Sequence, residues 1–277
     1  MQTKINGIQM GYDDYGQGPA VVLLHDFALN RQMWTPQIEP FVEAGFRVII
    51  PDLRGFGESG IGHDKISIQT YSRDIIALLK QLGVGRTVVC GLSFGGAILF
   101  DLMENYPQHI AGACLAASRP VADDIQERGQ RTQLLNALYD GQGDWVKRKL
   151  HTMLFSQQEK VTPTKIRMAA GRWIDSCDEL ALEAGLHAQL YRKDYSFLLK
   201  NIDVPTLLIG AENDPITHHG HNDIMAQHLP NCYRSVKLSS GHLVNMEKAD
   251  QFNAHLLDFL QNLALRSSRR IPLKAAV

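Results

Sequence analysis

Hydrophobic residues fall into two recurring patterns along this chain. Short unbroken apolar runs occur at Ala20–Leu24, Phe46–Ile50, Thr87–Cys90, Ile110–Leu115, Thr206–Ile209 and Tyr233–Leu238. Runs of this length, apolar on both faces, predict strands of a buried parallel sheet. Between them lie stretches whose apolar positions return every three to four residues, near Gln32–Ala44, Tyr71–Leu82, Gly95–Tyr106, Asp223–His228 and Glu247–Leu263. These predict amphipathic helices. Such alternation predicts an α/β architecture, with helices on both faces of a mostly parallel sheet. Ahead of the first run, Thr3-Lys4-Ile5 and Ile8-Gln9-Met10 flank Asn6-Gly7. That dipeptide readily takes the two positive φ angles of a type I′ turn, so an N-terminal β-hairpin is expected.

The alternation stops once. From about 120 to 200 the pattern is helical throughout, and it is rich in bulky apolar residues such as Leu134, Leu138, Trp145, Leu154, Phe155 and Trp173. A sheet that pauses this long predicts a helical cap, residues 120–200, inserted into a core domain built from 1–119 and 201–277. The end of the chain, from Arg266 through Lys274, is basic and is expected to be a loose tail.

Composition narrows the function classes. With 277 residues, 44% of them hydrophobic and 21% charged, the chain can bury a sizeable core. A net charge of −1 gives no long-range field to recruit nucleic acid or an anionic membrane, so neither is expected as a partner. The first residues lack the apolar stretch of a secretory signal, and no run approaches the ~18 apolar residues of a membrane span. Cys90, Cys114, Cys177 and Cys232 are scattered without C-x-x-C spacing. Four reduced thiols and a cytoplasmic location are therefore expected, and a homodimer is left open.

The sharpest chemistry lies at Gly91-Leu92-Ser93-Phe94-Gly95-Gly96, which follows one strand run and opens a helix pattern. A serine on so sharp a turn projects its hydroxyl above the sheet, and the next amide, on Phe94, points at any oxyanion that forms there. A serine hydroxyl needs a base. Of 11 histidines, His242 stands directly after the last strand run, at the sheet edge the elbow occupies. The imidazole needs an acid. Asp214, after the strand Thr206–Ile209, gives the chain order Ser…Asp…His, with Glu212 as its rival. A second oxyanion donor is expected from the amide of Phe27 after the first central strand. Arg54, in Asp52–Ser59, reads as a loop clamp. His218, His219 and His221 lack a carboxylate or thiol at fixed spacing, so no metal site is expected.

These motifs, in this order, resemble the α/β-hydrolase superfamily over essentially the whole length. They are His25-x-Phe27, Asp52-x-Arg54-Gly-x-Gly-x-Ser59, the elbow, Gly210-x-x-x-Asp214 and Gly241-His242-x-x-x-x-Glu247. Met33-Trp34-Thr35-Pro36-Gln37 and the stretch Gly241–Glu247 are similar to the 3-oxoadipate enol-lactonase and small carboxylesterase branch. The resemblance implies an α/β-hydrolase fold and a cofactor-free serine esterase acting on a small, partly apolar ester or lactone. His25, Asp26, Trp34 and Leu243 are then candidates for the substrate pocket. An enol-lactonase, a carbon–carbon bond hydrolase, a perhydrolase and a triad-bearing receptor with little turnover are the alternatives within this fold. The serine argues against relatives with an aspartate nucleophile.

One residue departs from the resemblance: Asp26 stands where the superfamily usually has glycine. A carboxylate aimed at the oxyanion would oppose catalysis. The preferred expectation is therefore that Asp26 turns away from the site, onto loop amides or Arg54. The competing one is that it borders the oxyanion site and selects a polar or cationic substrate group.

Overall fold

The computed structural model describes residues 1–155 and 162–269. Eight strands form one sheet in the order β1-β2-β4-β3-β5-β6-β7-β8. These are β1 Gln2–Ile5, β2 Ile8–Tyr15, β3 Ala20–Leu24, β4 Arg47–Pro51, β5 Thr87–Leu92, β6 Ile110–Ala116, β7 Thr206–Ala211 and β8 Cys232–Leu238. The hairpin β1–β2 closes at Ile5↔Ile8, with Asn6 at φ 40° and Gly7 at φ 76°, as the Asn-Gly pair predicts. Strand β2 runs on to Tyr15 and pairs antiparallel with β4, a continuation the apolar pattern does not signal. From β4 across to β8 every pairing is parallel.

The predicted strands and helices sit where expected to within a few residues. Helices α1 Thr35–Glu43, α2 Ile68–Gln81 and α3 Phe94–Asn105 fill the first half. Between β6 and β7 come α4 Ile125–Tyr139, α5 Gly143–Phe155, α6 Thr164–Asp175 and α7 Glu179–Leu190, and no strand interrupts them among the described residues. The first of these starts on a capping box, in which Asp124 Oδ1 accepts from the Glu127 amide (2.8 Å) and Glu127 Oε2 accepts from the Asp124 amide (2.9 Å). The second half closes with α8 Gly220–His228, the short α9 Val244–Glu247 and α10 Ala249–Arg269. The tail expected from Arg266 is corrected here: α10 continues through Arg269, and the remainder of that stretch lies outside the described residues.

Helices α1 and α10 pack on each other against one side of the sheet, and α2 and α3 pack together on the other. The strands between them are closed off on both faces: β5 and β7 are buried at every position. The edge strand β8 is half-exposed and carries Arg234 and Lys237, charges that discourage pairing with another sheet edge. All four cysteines are free; Cys90 and Cys114 are register partners on β5 and β6.

This order fixes where chemistry can sit. The chain leaves β3 toward β4 on one side and reaches β5 on the other, so β3 and β5 flank a topological switch point. Ligands bind outside the carboxyl ends of strands at such a point. Asp26 and Phe27 lie just beyond β3, and Ser93 lies just beyond β5.

Candidate active site

Ser93 has φ 52° and ψ −103°, a conformation that L side chains rarely adopt. The surrounding glycines make it attainable. A Cβ on Gly95 would overlap the Leu24 carbonyl at the end of β3, and one on Gly91 would overlap the Gly95 carbonyl. Ser93 immediately precedes α3, yet its hydroxyl does not cap that helix. Its backbone is held, the amide donating to the Ala116 carbonyl (2.9 Å) and the carbonyl accepting from the Ala97 amide (3.0 Å), which leaves the side chain at the sheet edge.

The other expected groups converge on the same edge. His242 stands four residues beyond β8, and its Nδ1 faces Asp214 Oδ1 and Oδ2 at 2.8 and 2.7 Å. Both side chains are fully buried. Asp214 Oδ1 also accepts from the amides of Ile216 (2.8 Å) and Thr217 (2.9 Å), which lock the carboxylate's orientation. Glu212, the rival, is exposed.

The loop carrying His242 is pinned by residues that no motif spacing singles out for that task. Glu247 Oε2 accepts from the Gly241 amide at 2.6 Å. Asn245 donates to the Met33 carbonyl (2.8 Å) and to Gln37 (3.1 Å), while Gln37 donates to the Asn245 carbonyl (3.0 Å) and to Asn253 (2.8 Å). The available signal was polar amides on otherwise apolar helix faces. A buried amide keeps its place only if partners exist, and those partners are more than 200 positions away in the sequence.

Asp26 overturns the preferred expectation. It does not turn away, and it does not contact Arg54. Its Oδ1 accepts from the Phe94 amide at 3.1 Å, and its Oδ2 lies 3.1 Å from His242 Nε2. The Phe27 amide supports the same carboxylate. The Phe94 amide, one of the two expected to receive an oxyanion, thus holds an internal carboxylate, and Nε2, the atom expected to take the Ser93 proton, faces Asp26 instead. The physical reason is local: the group is 5% exposed, and a buried carboxylate needs donors. The elbow amide and the imidazole are the donors at hand. Arg54 is unavailable to it. As a loop clamp it forks onto Asp74 (Nε–Oδ2 2.7 Å, Nη2–Oδ1 2.8 Å) and onto the carbonyls of Asn6 and Ile61.

The electrostatics follow from this arrangement. Burial alone would lower the pKa of His242, but Asp214 and then Asp26 override it and raise it to about 10. Burial would likewise raise Asp26; the His242 bond and charge, with the Phe94 and Phe27 amides, outweigh it and hold the carboxyl below its ordinary value. The surroundings thus favour the protonated ring, with Asp214 on Nδ1 and Asp26 on Nε2.

The remaining pocket candidates fall behind the site rather than at its mouth. His25 Nε2 accepts from the Leu53 amide (2.8 Å) and Nδ1 meets the Asp26 carbonyl (2.7 Å). Burial lowers its pKa, so it is a neutral strut between two loops. Trp34 is buried and packs on Phe252 at 5.9 Å, and Leu243 is buried beside His242. Beside the site, Phe27, Phe56 and Phe94 form an aromatic wall of packed rings, 5.7 to 6.5 Å apart in edge-to-face contacts, with Phe27 half-buried and the other two buried. Helix α7 lies against this wall; a Cβ on Gly185 would come within 2.5 Å of the Phe27 ring. His218 and His219 stack on each other at 4.4 Å, and among the described residues no cluster of His, Cys, Asp or Glu is placed to hold a metal ion.

Known proteins share this fold. The family model for the alpha/beta hydrolase fold matches residues 19–249. The chain is similar to 3-oxoadipate enol-lactonase 1 of Acinetobacter baylyi, 25% identical over 95% of this chain and 94% of that protein. It is also similar to bifunctional epoxide hydrolase 2 of Sus scrofa, 23% identical over 92% of this chain but spanning only 54% of that protein. A solved thermophilic esterase from Thermogutta terrifontis superposes with a TM-score of 0.88 at 26% identity, covering 95% of this chain and 99% of its own.

Proposed function

Because the chain belongs to the α/β hydrolase fold family, we propose that it hydrolyses a small, partly apolar carboxylic ester or lactone through an acyl-enzyme on Ser93. The observation that carries this reading is the Asp214–His242 pair at 2.7 Å, set at the same sheet edge as the strained, uncapped Ser93. An aspartate at Nδ1 fixes the tautomer that leaves Nε2 to work as the base. A serine at the elbow separates the chain from hydrolases with an aspartate nucleophile.

In the working form, Nε2 has lost its proton to solvent and Asp26 has released it. Nε2 then takes the proton of Ser93 Oγ as that oxygen attacks the substrate carbonyl. The Phe94 and Phe27 amides, vacated by Asp26, receive the oxyanion. Collapse expels the alcohol, which takes the proton from His242, and water repeats the sequence to release the acid. No cofactor enters any step. Helices α4–α7, residues 120–200, act as a lid on the core domain, and the wall of Phe27, Phe56 and Phe94 beneath α7 favours an apolar group.

A second reading has its own support. With Asp26 seated on the Phe94 amide and on Nε2, the resting site is blocked in both its oxyanion and its base functions. A ligand-binding protein that turns over slowly would look like this. Fluorophosphonate labelling and steady-state hydrolysis of an aryl ester at pH 9 separate the two. Labelling at Ser93 with many turnovers, both lost in Ser93→Ala, is expected of the hydrolase. A single stoichiometric burst would favour the binding protein, and full activity in Ser93→Ala would refute the serine mechanism.

A further inference from the structure

Resting on the hydrolase reading above, we propose that Asp26 sets the substrate class. The enzyme takes esters or lactones that carry an ammonium group within two or three atoms of the reacting carbonyl. That ammonium pairs with the Asp26 carboxylate once the carbonyl has taken its place on the Phe94 and Phe27 amides.

The argument is one of partners lost and replaced. Asp26 has the Phe94 and Phe27 amides at one side and His242 Nε2 at the other. Acyl transfer removes both at once: the substrate oxygen takes the amides, and Nε2 gives up its proton in order to accept one from Ser93. In the substrate complex, before Ser93 attacks, a carboxylate that is 5% exposed at rest has thus lost both sets of partners, and an unpaired charge beside that loop is strongly disfavoured. Among the described residues, the arginines of the neighbouring loops are already committed. Arg31 is shared among Asp13 (3.1 Å), Glu58 (3.1 Å) and Asp52. Arg54 is committed to Asp74. Among the described residues, the only ion pair of Asp26 is with His242.

The compensating charge therefore has to arrive with the substrate. An ammonium beside the carbonyl pairs with Asp26 and also offsets the developing oxyanion. With a neutral ester, the oxyanion and the Asp26 carboxylate share only the imidazolium that His242 forms on taking the Ser93 proton, which Asp214 already engages. Phe27, half-buried beside Phe56 and Phe94, offers ring surface that suits the alkyl part of such a substrate. Discrimination then comes as much from repulsion of the neutral ester as from attraction of the charged one.

The test uses two esters of nearly equal shape, methyl 3-aminopropanoate and methyl butanoate, in which an ammonium replaces a methyl group. Their kcat/KM values are measured at pH 7.5 by pH-stat for the wild type, Asp26→Asn and Asp26→Ser, alongside fluorophosphonate labelling of Ser93. The wild type is expected to prefer the ammonium ester by at least about tenfold. Both variants are expected to lose that preference, mainly by gaining on the butanoate. A ratio unmoved by either substitution overturns the role of Asp26, as does labelling of Ser93 without turnover of the ammonium ester. Absence of labelling in all three proteins overturns the hydrolase reading itself and the inference with it.

Discussion

The consequence of Asp26 for the base can be worked out from its distance to His242. The Asp26 Oδ2–His242 Nε2 separation of 3.1 Å corresponds to an attraction of about 5 kcal/mol at an effective dielectric near 20. Asp26→Asn removes that charge, keeps one acceptor oxygen in place and replaces the other with an amide donor. Solvent and amide dipoles recover roughly half, leaving a net loss of about 2.7 kcal/mol, which is about 100-fold more neutral His242 at pH 7. Asp214, at 2.7 Å, still supports the imidazolium in the variant, and Glu247 is the third acid near the ring. In the wild type, with the His242 pKa raised to about 10, kcat/KM for a neutral aryl ester should climb close to tenfold per pH unit from 7 to 9 and level off near 10. Asp26→Asn should start at least about 100-fold higher at pH 7, level off earlier, and stay above the wild type at high pH, where the Asp26 charge still opposes the oxyanion of a neutral ester. The assay is the kcat/KM profile for 4-nitrophenyl acetate from pH 6 to 10.5. A wild-type profile already flat at pH 7, or a variant no faster there, would refute the reasoning.

The same raised pKa reaches into stability. Because folding favours the protonated ring, its contribution is fully present below the ordinary value of 6.5 and is lost as pH rises to about 10. The Tm of the wild type should therefore fall more steeply than that of Asp26→Asn across this window, by differential scanning calorimetry, and parallel curves would contradict it. Asp214→Asn should leave the fold intact and cut kcat by about 10⁴-fold, while Glu212→Gln should change little; the reverse outcome would move the acid to Glu212. Gly95→Ala forces a methyl group onto the Leu24 carbonyl and should cost about 1–3 kcal/mol in urea unfolding, so an unchanged midpoint would show that the elbow can shift aside.

The sequence by itself determined a large share of this protein. Runs such as Val21–Leu24 and Thr206–Ala211 are apolar on both faces, which only a sheet covered on both sides satisfies, and they are buried throughout. Asn6-Gly7 fixed the hairpin because the turn is a local property of two φ angles. Ser93, Asp214 and His242 were legible because each sits just past a strand, where chain order and periodicity suffice to bring residues to one edge. Asp26 was legible as a departure with two possible orientations, and the less favoured one, bordering the oxyanion site, is the one adopted. Whether a carboxylate points outward or onto the Phe94 amide depends on which donors are within reach. Those donors come from positions 94 and 242, and the guanidinium that might have drawn it away is held by Asp74. The pairing of β2 with β4 and the Asn245–Gln37–Asn253 network escaped for the same reason. Periodicity reports which face of an element is buried; tertiary structure alone decides which distant polar group satisfies which.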